Sequence, residues 1–294
     1  MKIQKSFEAE NKGALYVVPT PIGNLEDITY RALNVLKEAS VIAAEDTRNT
    51  KKLLNHFDIK TPLISYHEHN KFAREEQLIK RIQDGEKVAL VSDAGMPAIS
   101  DPGYELVQAA IRNDQKVIVL PGANAALCAL VGSGLPSDSF YFYGFLPRKK
   151  KDKEKELERL QSIRATLLFY ESPFRIKETL QSMKHVFNNR QVVLARELTK
   201  RFEEYVRGDI EELLDWAKQH EIKGECCLVV SGSDQADDDA DERWWSSLSI
   251  VEHVNHYIEK QNHSSKEAIK TVAKDRKMPK RDVYQAFHIK NESF

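Results

Sequence analysis

KVALVSDAGMPAISDPGYELVQAAIRN, residues 87–113, carries one repeating unit of the fold. It opens on an apolar, β-branched run suited to a buried strand. A loop crowded with Gly, Pro, Ser and Asp follows, and the unit closes on apolar side chains spaced three and four apart, the period of a helix. Outward from it the same rhythm fills residues 14–122. Strands are expected at 14–18, 41–44, 63–66, 87–92 and 116–120, with helices at 29–39, 47–57, 73–84 and 104–113. Short apolar strands joined by helical crossovers predict a largely parallel sheet with helices on both faces.

A small-residue segment, 123–134, reads as a helix leading into a second unit of different rhythm. Its strands are expected at 140–143, 166–171, 192–196, 204–206 and 226–230, and its helices at 153–162, 174–187 and 210–219. The short connection between 192–196 and 204–206 predicts an antiparallel pair, hence a mixed sheet. The acidic stretch SDQADDDADE, 233–242, has almost no apolar residues and marks a linker. Beyond it a helix is expected at 249–260, a second opened by the capping box of Ser264 and Glu267, and a third opened by Pro279. The segment around Arg276, Lys277 and Met278 has the look of a helix-turn-helix, though three amphipathic helices also serve as a plain packing appendage. The expected architecture is α/β: an N-terminal subdomain over 13–122, a mixed-sheet subdomain over 136–232, an acidic linker over 233–246, and a small all-helical domain over 247–294.

A net charge of -1 over 294 residues gives no global attraction to polyanions, so nucleic-acid binding has to rest on local patches. There are two. One comprises Arg148, Lys149, Lys150, Lys151 and Lys153. The other comprises Lys266, Lys270, Lys274, Arg276, Lys277, Lys280 and Arg281. No apolar run approaches the ~18 residues of a membrane span, and MKIQKSFE at the start offers no signal-like stretch, so a cytoplasmic protein is expected. Cys128 and the adjacent Cys226 and Cys227 fit neither metal spacing nor an easy disulfide and are expected as buried free thiols. The chain lacks GxGxxG after a strand, GxxxxGK and HExxH, which removes the common dinucleotide, nucleotide and zinc-protease classes. His67-Glu68-His69 reads as a polar strand end or substrate contact, and no metal is expected.

Four segments carry the chemistry: Thr20-Pro21-Ile22-Gly23-Asn24, Ala44-Glu45-Asp46-Thr47-Arg48, 92–103, and Leu120-Pro121-Gly122. Each follows an expected strand. In open α/β sheets ligands sit beyond the carboxyl ends of the strands, so these loops are expected around one cleft.

These segments resemble the tetrapyrrole-methylase family, in its branch that methylates a cytidine ribose in 16S ribosomal RNA. The resemblance is carried by LYVVPTPIGNLEDIT (15–29), IAAEDTRNTKKLL (42–54), SYHEHN (65–70), SDAGMPAISDPG (92–103), GFLPRKK (144–150), FYESPFR (169–175) and ARELTKRFEEYVRG (195–208). It implies a two-domain fold, dimeric, binding S-adenosylmethionine between the domains through Pro21, Ile22 and Gly23, then Asp93, Gly95 and Met96, then Asn124 and Ala125. The family usually has Ser in place of Asn124 and Thr in place of Met96. Asn keeps hydrogen-bonding capacity, whereas Met restricts position 96 to a backbone role.

A methyl group on a sulfonium is already activated, so transfer needs alignment, exclusion of water and removal of one proton, with no metal. For a ribose 2′-hydroxyl a positioned base contributes roughly 10² to 10⁴-fold. Glu45, Asp46, Glu197 and Lys200 are all candidates, and the sequence does not choose among them. Arg148, Lys149, Lys150 and Lys151 are expected to track phosphates, with Tyr141, Phe142 and Tyr143 offering aromatic surface nearby. Two other readings share the fold: a methylase acting on a tetrapyrrole or another small molecule, and a non-catalytic RNA-binding assembly factor.

Overall fold

The computed structural model describes residues 3–6, 13–234, 245, 248–261, 263–276 and 278–289. The first part of the chain runs β1 (Ala14–Val17), α1 (Tyr30–Glu38), β2 (Val41–Ala44), α2 (Thr47–His56), β3 (Leu63–Ser65), α3 (Lys71–Gln83), β4 (Lys87–Val91), α4 (Tyr104–Arg112) and β5 (Lys116–Val119). All its strands pair in parallel, in the order β3-β2-β4-β1-β5. Alternation along the strands splits the core in two. Ile42, Ala44, Ala89 and Val91 face Leu36 of α1 and Leu54 of α2, whereas Val41, Ala43, Val88 and Leu90 face Leu78 and Ile82 of α3 and Leu106 of α4. Both faces are covered, as near-continuous apolar strands require.

Next come α5 (Ala125–Ser133), β6 (Phe140–Phe145), α6 (Lys150–Leu160), β7 (Thr166–Glu171), α7 (Ile176–Phe187), β8 (Gln191–Arg196), β9 (Glu204–Asp209), α8 (Ile210–Gln219) and β10 (Cys226–Val230). Their sheet has the order β6-β7-β10-β8-β9, parallel only between β6 and β7. One face packs Cys226, Leu228 and Val230 against Leu157, Leu180 and Leu213 of α6, α7 and α8. The other packs Cys227, Val229, Val193 and Leu168 against Ile22 and against Ala126, Ala129 and Leu130 of α5. That second cluster joins the two sheets, and the approach is close: a Cβ on Gly132 of α5 would lie 2.4 Å from the Tyr205 ring of β9.

Three departures from the expected boundaries have a visible cause. α6 starts at Lys150 rather than at 153, because Lys153, Leu157 and Leu160 form a buried stripe that carries the helix back through the basic run. β9 continues to Asp209 because Gly208 and Arg207 pair with Val192 and Val193 of β8. β6 continues to Phe145 across a bulge between Phe142 and Gly144, where Gly144 takes φ 83°.

The chain divides into two compact units, Met1–Gly232 and Ser233–Phe294. In the second, α9 (Ile250–Gln261), α10 (Ser265–Asp275) and α11 (Lys280–Ile289) bury Val254, Ile269, Val272, Val283 and Phe287 together. The capping box of Ser264 and Glu267 opens α10. Most of the expected acidic linker, 235–244, lies outside the described residues. Among the described residues no helix is long and apolar enough to cross a membrane.

Candidate functional site

The loops leaving β1 and β4 are bound to each other. The backbones of Thr20 and Gly95 exchange two N–H to carbonyl hydrogen bonds of 2.9 Å, and the Thr20 hydroxyl donates to the Ser92 carbonyl at 3.1 Å. Gly95 stands at φ 77° with no room to spare, since a Cβ there would be 3.3 Å from Ile22 Cγ2. A β-branched or bulky residue is excluded at such a position. The β4 loop is bound in turn to the start of α2. Asp93 Oδ1 accepts the backbone N–H of Asp46 at 3.1 Å, and its Oδ2 accepts from Asn49 Nδ2 at 3.2 Å.

Between these loops and the second sheet lies a cleft of about 490 Å³. Of the residues expected at the cofactor, Ile22, Asp93, Gly95, Met96, Asn124 and Ala125 line it. Pro21 and Gly23 are outside the lining. Gly23 packs instead against the second sheet's side of the cleft, where a Cβ would fall 2.4 Å from Lys200 Cγ. Asn124 caps α5 by accepting from the Leu127 N–H at 3.0 Å, and the Tyr170 hydroxyl accepts from the Ala126 N–H at 3.2 Å. The helix entry is thereby held from both sheets.

The four proposed proton acceptors separate. Glu45 lines the cleft with its Oε2 buried and without a hydrogen-bond partner, and burial, reinforced by Asp93, raises its carboxyl above the ordinary carboxylate range. Asp46 caps α2 and is gripped by Arg48, whose Nε and Nη2 reach it at 3.1 and 2.7 Å. Hydrogen bonds from Arg48 hold its carboxyl at about 2. Glu197 and Lys200 pair with each other at 2.8 Å, and Lys200 also reaches Glu225 at 2.9 Å. Burial alone would lower the Lys200 ammonium, but the hydrogen bonds to Glu197 and Glu225 outweigh it and keep it charged. The backbone beneath them is left-handed at Glu197 (φ 51°) and Thr199 (φ 66°), a conformation that costs ~1–3 kcal/mol per residue and persists only when its surroundings dictate it.

Several cleft residues escaped the sequence reading. Asp101 lies within the quoted 92–103 segment, and burial with the charges of Glu45 and Asp93 pushes its carboxyl up to about 7. Glu171 is buried and accepts from Thr179 Oγ1 at 2.7 Å, and Arg175 stands 3.4 Å away. Arg175 also donates to the carbonyls of Leu146 and Pro147 at 2.9 Å, so this network fixes the loops after β6 and β7 that rim the cleft. Motif position could have flagged both residues: each sits at the end of an expected strand or in its loop.

The basic patches need correction. Arg148, Lys149, Lys150 and Lys151 are exposed, but Lys153 is fully buried, its Nζ 3.1 Å from both Glu178 and Thr179. It belongs to the core. Arg276 likewise turns inward, stacking on Trp245 and donating to His253 Nδ1 at 3.1 Å and to the carbonyl of Leu248. Lys266, Lys270, Lys274, Lys280 and Arg281 are exposed, and Lys277 lies outside the described residues. Tyr141 is exposed, whereas Phe142 packs on Tyr170 and Tyr143 on Phe169. Cys226 and Cys227 are buried thiols pushed up to about 12 by burial, but Cys128 is exposed, contrary to expectation. His67 and His69 hold their ring centroids 5.9 Å apart, and Glu68 pairs with Lys71.

The family model described as Tetrapyrrole (Corrin/Porphyrin) Methylases matches residues 14–214. A protein of Halalkalibacterium halodurans named Ribosomal RNA small subunit methyltransferase I is 57% identical over 289 residues, 98% of this chain and 99% of the relative. Its namesake in Bacillus subtilis is 52% identical over 291 residues, 99% of each chain. Among solved structures, a uroporphyrin-III C-methyltransferase from Thermus thermophilus complexed with S-adenosyl homocysteine is 19% identical, with a TM-score of 0.54 over 74% of this chain and 97% of its own. That likeness is one of fold. By the matching model and by full-length similarity to these relatives, the chain belongs to the tetrapyrrole methylase family, among the members named ribosomal RNA small subunit methyltransferase I.

Proposed function

We propose that this protein transfers the methyl group of S-adenosylmethionine to the 2′-hydroxyl of a cytidine in 16S ribosomal RNA. One observation carries the choice of RNA over a tetrapyrrole. The relatives named for ribosomal RNA match 98 to 99% of the chain, helical unit included, whereas the uroporphyrin methyltransferase matches 74%. The cleft itself suits the cofactor. It is the size of a nucleoside-bearing ligand and offers apolar walls at Ile22, Leu198 and Ala125. It also presents Glu45 and Asp101, whose charge favours a sulfonium and ammonium over a phosphate. S-adenosylmethionine supplies an activated methyl, and the chain's own residues have only to align it, exclude water and accept one proton.

The RNA backbone is taken to approach along exposed Arg148, Lys149, Lys150 and Lys151, beside the rim fixed by Arg175. Of the four candidate bases, Glu45 is the one that lines the cleft outside an ion pair, and Asp46, Glu197 and Lys200 are read as ion pairs that shape its walls. A homodimer is supported by α5, which exposes Leu127 and Val131 one turn apart, the latter 79% accessible. A cytoplasmic setting follows from a ribosomal substrate. The test is transfer of labelled methyl from S-adenosylmethionine to small ribosomal subunits from cells lacking this enzyme, alongside a tetrapyrrole acceptor. Label in the RNA alone is expected. Label in the tetrapyrrole alone would replace this reading with the small-molecule one, and cofactor binding without transfer to either would favour an assembly factor.

A further inference from the structure

The chain turns sharply between β7 and α7. Arg175 donates its backbone N–H to the Ser172 carbonyl at 2.9 Å, which leaves Pro173 and Phe174 at the two central positions of the turn. Proline presets the backbone there. The turn is also pinned from outside. Ser172 donates its N–H to Glu171 Oε1 at 2.8 Å, Glu171 Oε2 accepts from Thr179 Oγ1 at 2.7 Å, and the Arg175 guanidinium holds the carbonyls of Leu146 and Pro147. At this fixed tip the Phe174 ring is 94% exposed, although a phenyl ring is among the groups most favoured for burial.

A lone exposed ring needs no explanation by itself, but its surroundings give this one a direction. Ser172 and Pro173, just before it in the turn, line the cleft, as does half-exposed Phe145 of β6. Directly after the two carbonyls that Arg175 holds come Arg148, Lys149, Lys150 and Lys151, all exposed. A pinned aromatic beside a basic run is the combination by which proteins hold unpaired nucleotides: the ring stacks on a base while the cations follow the phosphates. The same cations disfavour an apolar protein segment as the occupant.

We propose that Phe174 is a stacking platform for the base of the nucleotide that is methylated, held unpaired at the mouth of the cleft. The inference rests on the RNA-methylation reading above. The base and the 2′-hydroxyl hang from adjacent carbons of one ribose, so a ring at the mouth can grip the base while the hydroxyl reaches inward to the methyl group. A rigid turn suits this role, because the ring is already ordered before the RNA arrives. Stacking accepts any base, so Phe174 supplies position and leaves the identity of the nucleotide to other contacts.

Methyl transfer to small ribosomal subunits from cells lacking this protein tests the proposal, with S-adenosylhomocysteine affinity and sedimentation mass measured on every variant. Phe174→Ala is expected to lower kcat/KM by about 5- to 150-fold, the range that a lost base stack corresponds to, at unchanged cofactor affinity and mass. Phe174→Tyr should restore most of the rate, whereas Phe174→Leu, apolar but without a π-face, should not. A photoreactive phenylalanine introduced at Phe174 should crosslink to 16S RNA, with reverse transcription stopping at the nucleotide that wild type labels. An unaffected rate in Phe174→Ala, full rescue by Leu, a changed mass, or a crosslink to a ribosomal protein or to distant RNA overturns the assignment. Wild type that labels a tetrapyrrole and not RNA overturns the reading beneath it, a result obtained before any variant is made.

Discussion

Asp93 accepts the backbone N–H of Asp46 at 3.1 Å, so the exit of β4 is tied to the exit of β2 through one carboxylate. A second bond, from Asn49 at 3.2 Å, makes the tie bidentate. Hydrogen bonds to a charged group are worth ~1.5–3 kcal/mol, and here they hold two walls of the cleft in register. Asp93→Ala is expected to weaken S-adenosylhomocysteine binding by about 10- to 100-fold while the protein stays folded. Calorimetry measures this, and unchanged affinity would remove Asp93 from the cofactor site.

Asp101 makes the fold less stable at neutral pH than it needs to be. Its folded-state value of about 7 lies above the ~3.9 of an unfolded aspartate, so its contribution is fully present at low pH and is lost as pH rises from about 4 to about 7. Removing the ionisable group should therefore raise stability above that window and have little effect below it. Discounted for screening by the solvent that still reaches the carboxyl, Asp101→Asn is expected to gain on the order of 1–2 kcal/mol at pH 8 relative to wild type, and much less at pH 4. Denaturant melts at the two pH values decide it. An equal effect at both would mean that Asp101 is not held against ionisation.

Lys153 is a buried cation held by Thr179 and Glu178, and Thr179 in turn donates to buried Glu171 at the cleft. Truncating it strands these partners. Lys153→Ala should destabilise the protein by about 3 kcal/mol or more, with no change in the salt dependence of RNA binding. Thermal melts and salt titrations separate the two effects, and a weaker salt slope without loss of stability would return Lys153 to the surface patch.

Replacing Lys149, Lys150 and Lys151 with Ala should lower RNA affinity and reduce its salt slope by about 0.7 to 0.9 for each phosphate that is no longer neutralised. The side chains are exposed, so the fold should be unaffected. Filter binding over a range of salt concentrations tests it, and an unaltered slope would move the interface elsewhere.

The layered α/β units were legible because their signals are local: apolar strands, a Gly and Pro loop, then helical spacing, as in 87–113. The start of α6 was not, because its decisive residue is a lysine whose burial depends on Glu178 and Thr179, far along the chain. Arg276 misled in the same way. A basic residue in a basic run reads as surface until Trp245 and Leu248 are seen to enclose it. At the site the four loops could be read from their place after strands, and six of the eight residues assigned to the cofactor line one cleft. The carboxylates could not be ranked. Glu45, Asp46 and Asp101 are alike as letters, and Arg48 beside Asp46 or Glu45 beside Asp101 separates their chemistry only in three dimensions.

The most direct test of ribose methylation is to let the protein label small subunits from cells that lack it, digest the 16S RNA and locate the methyl by mass spectrometry of the fragments. The expected result is one methyl on the 2′-oxygen of a single cytidine, shown by resistance of that linkage to alkali. A methyl on a base, or on a ribose other than a cytidine's, would contradict it.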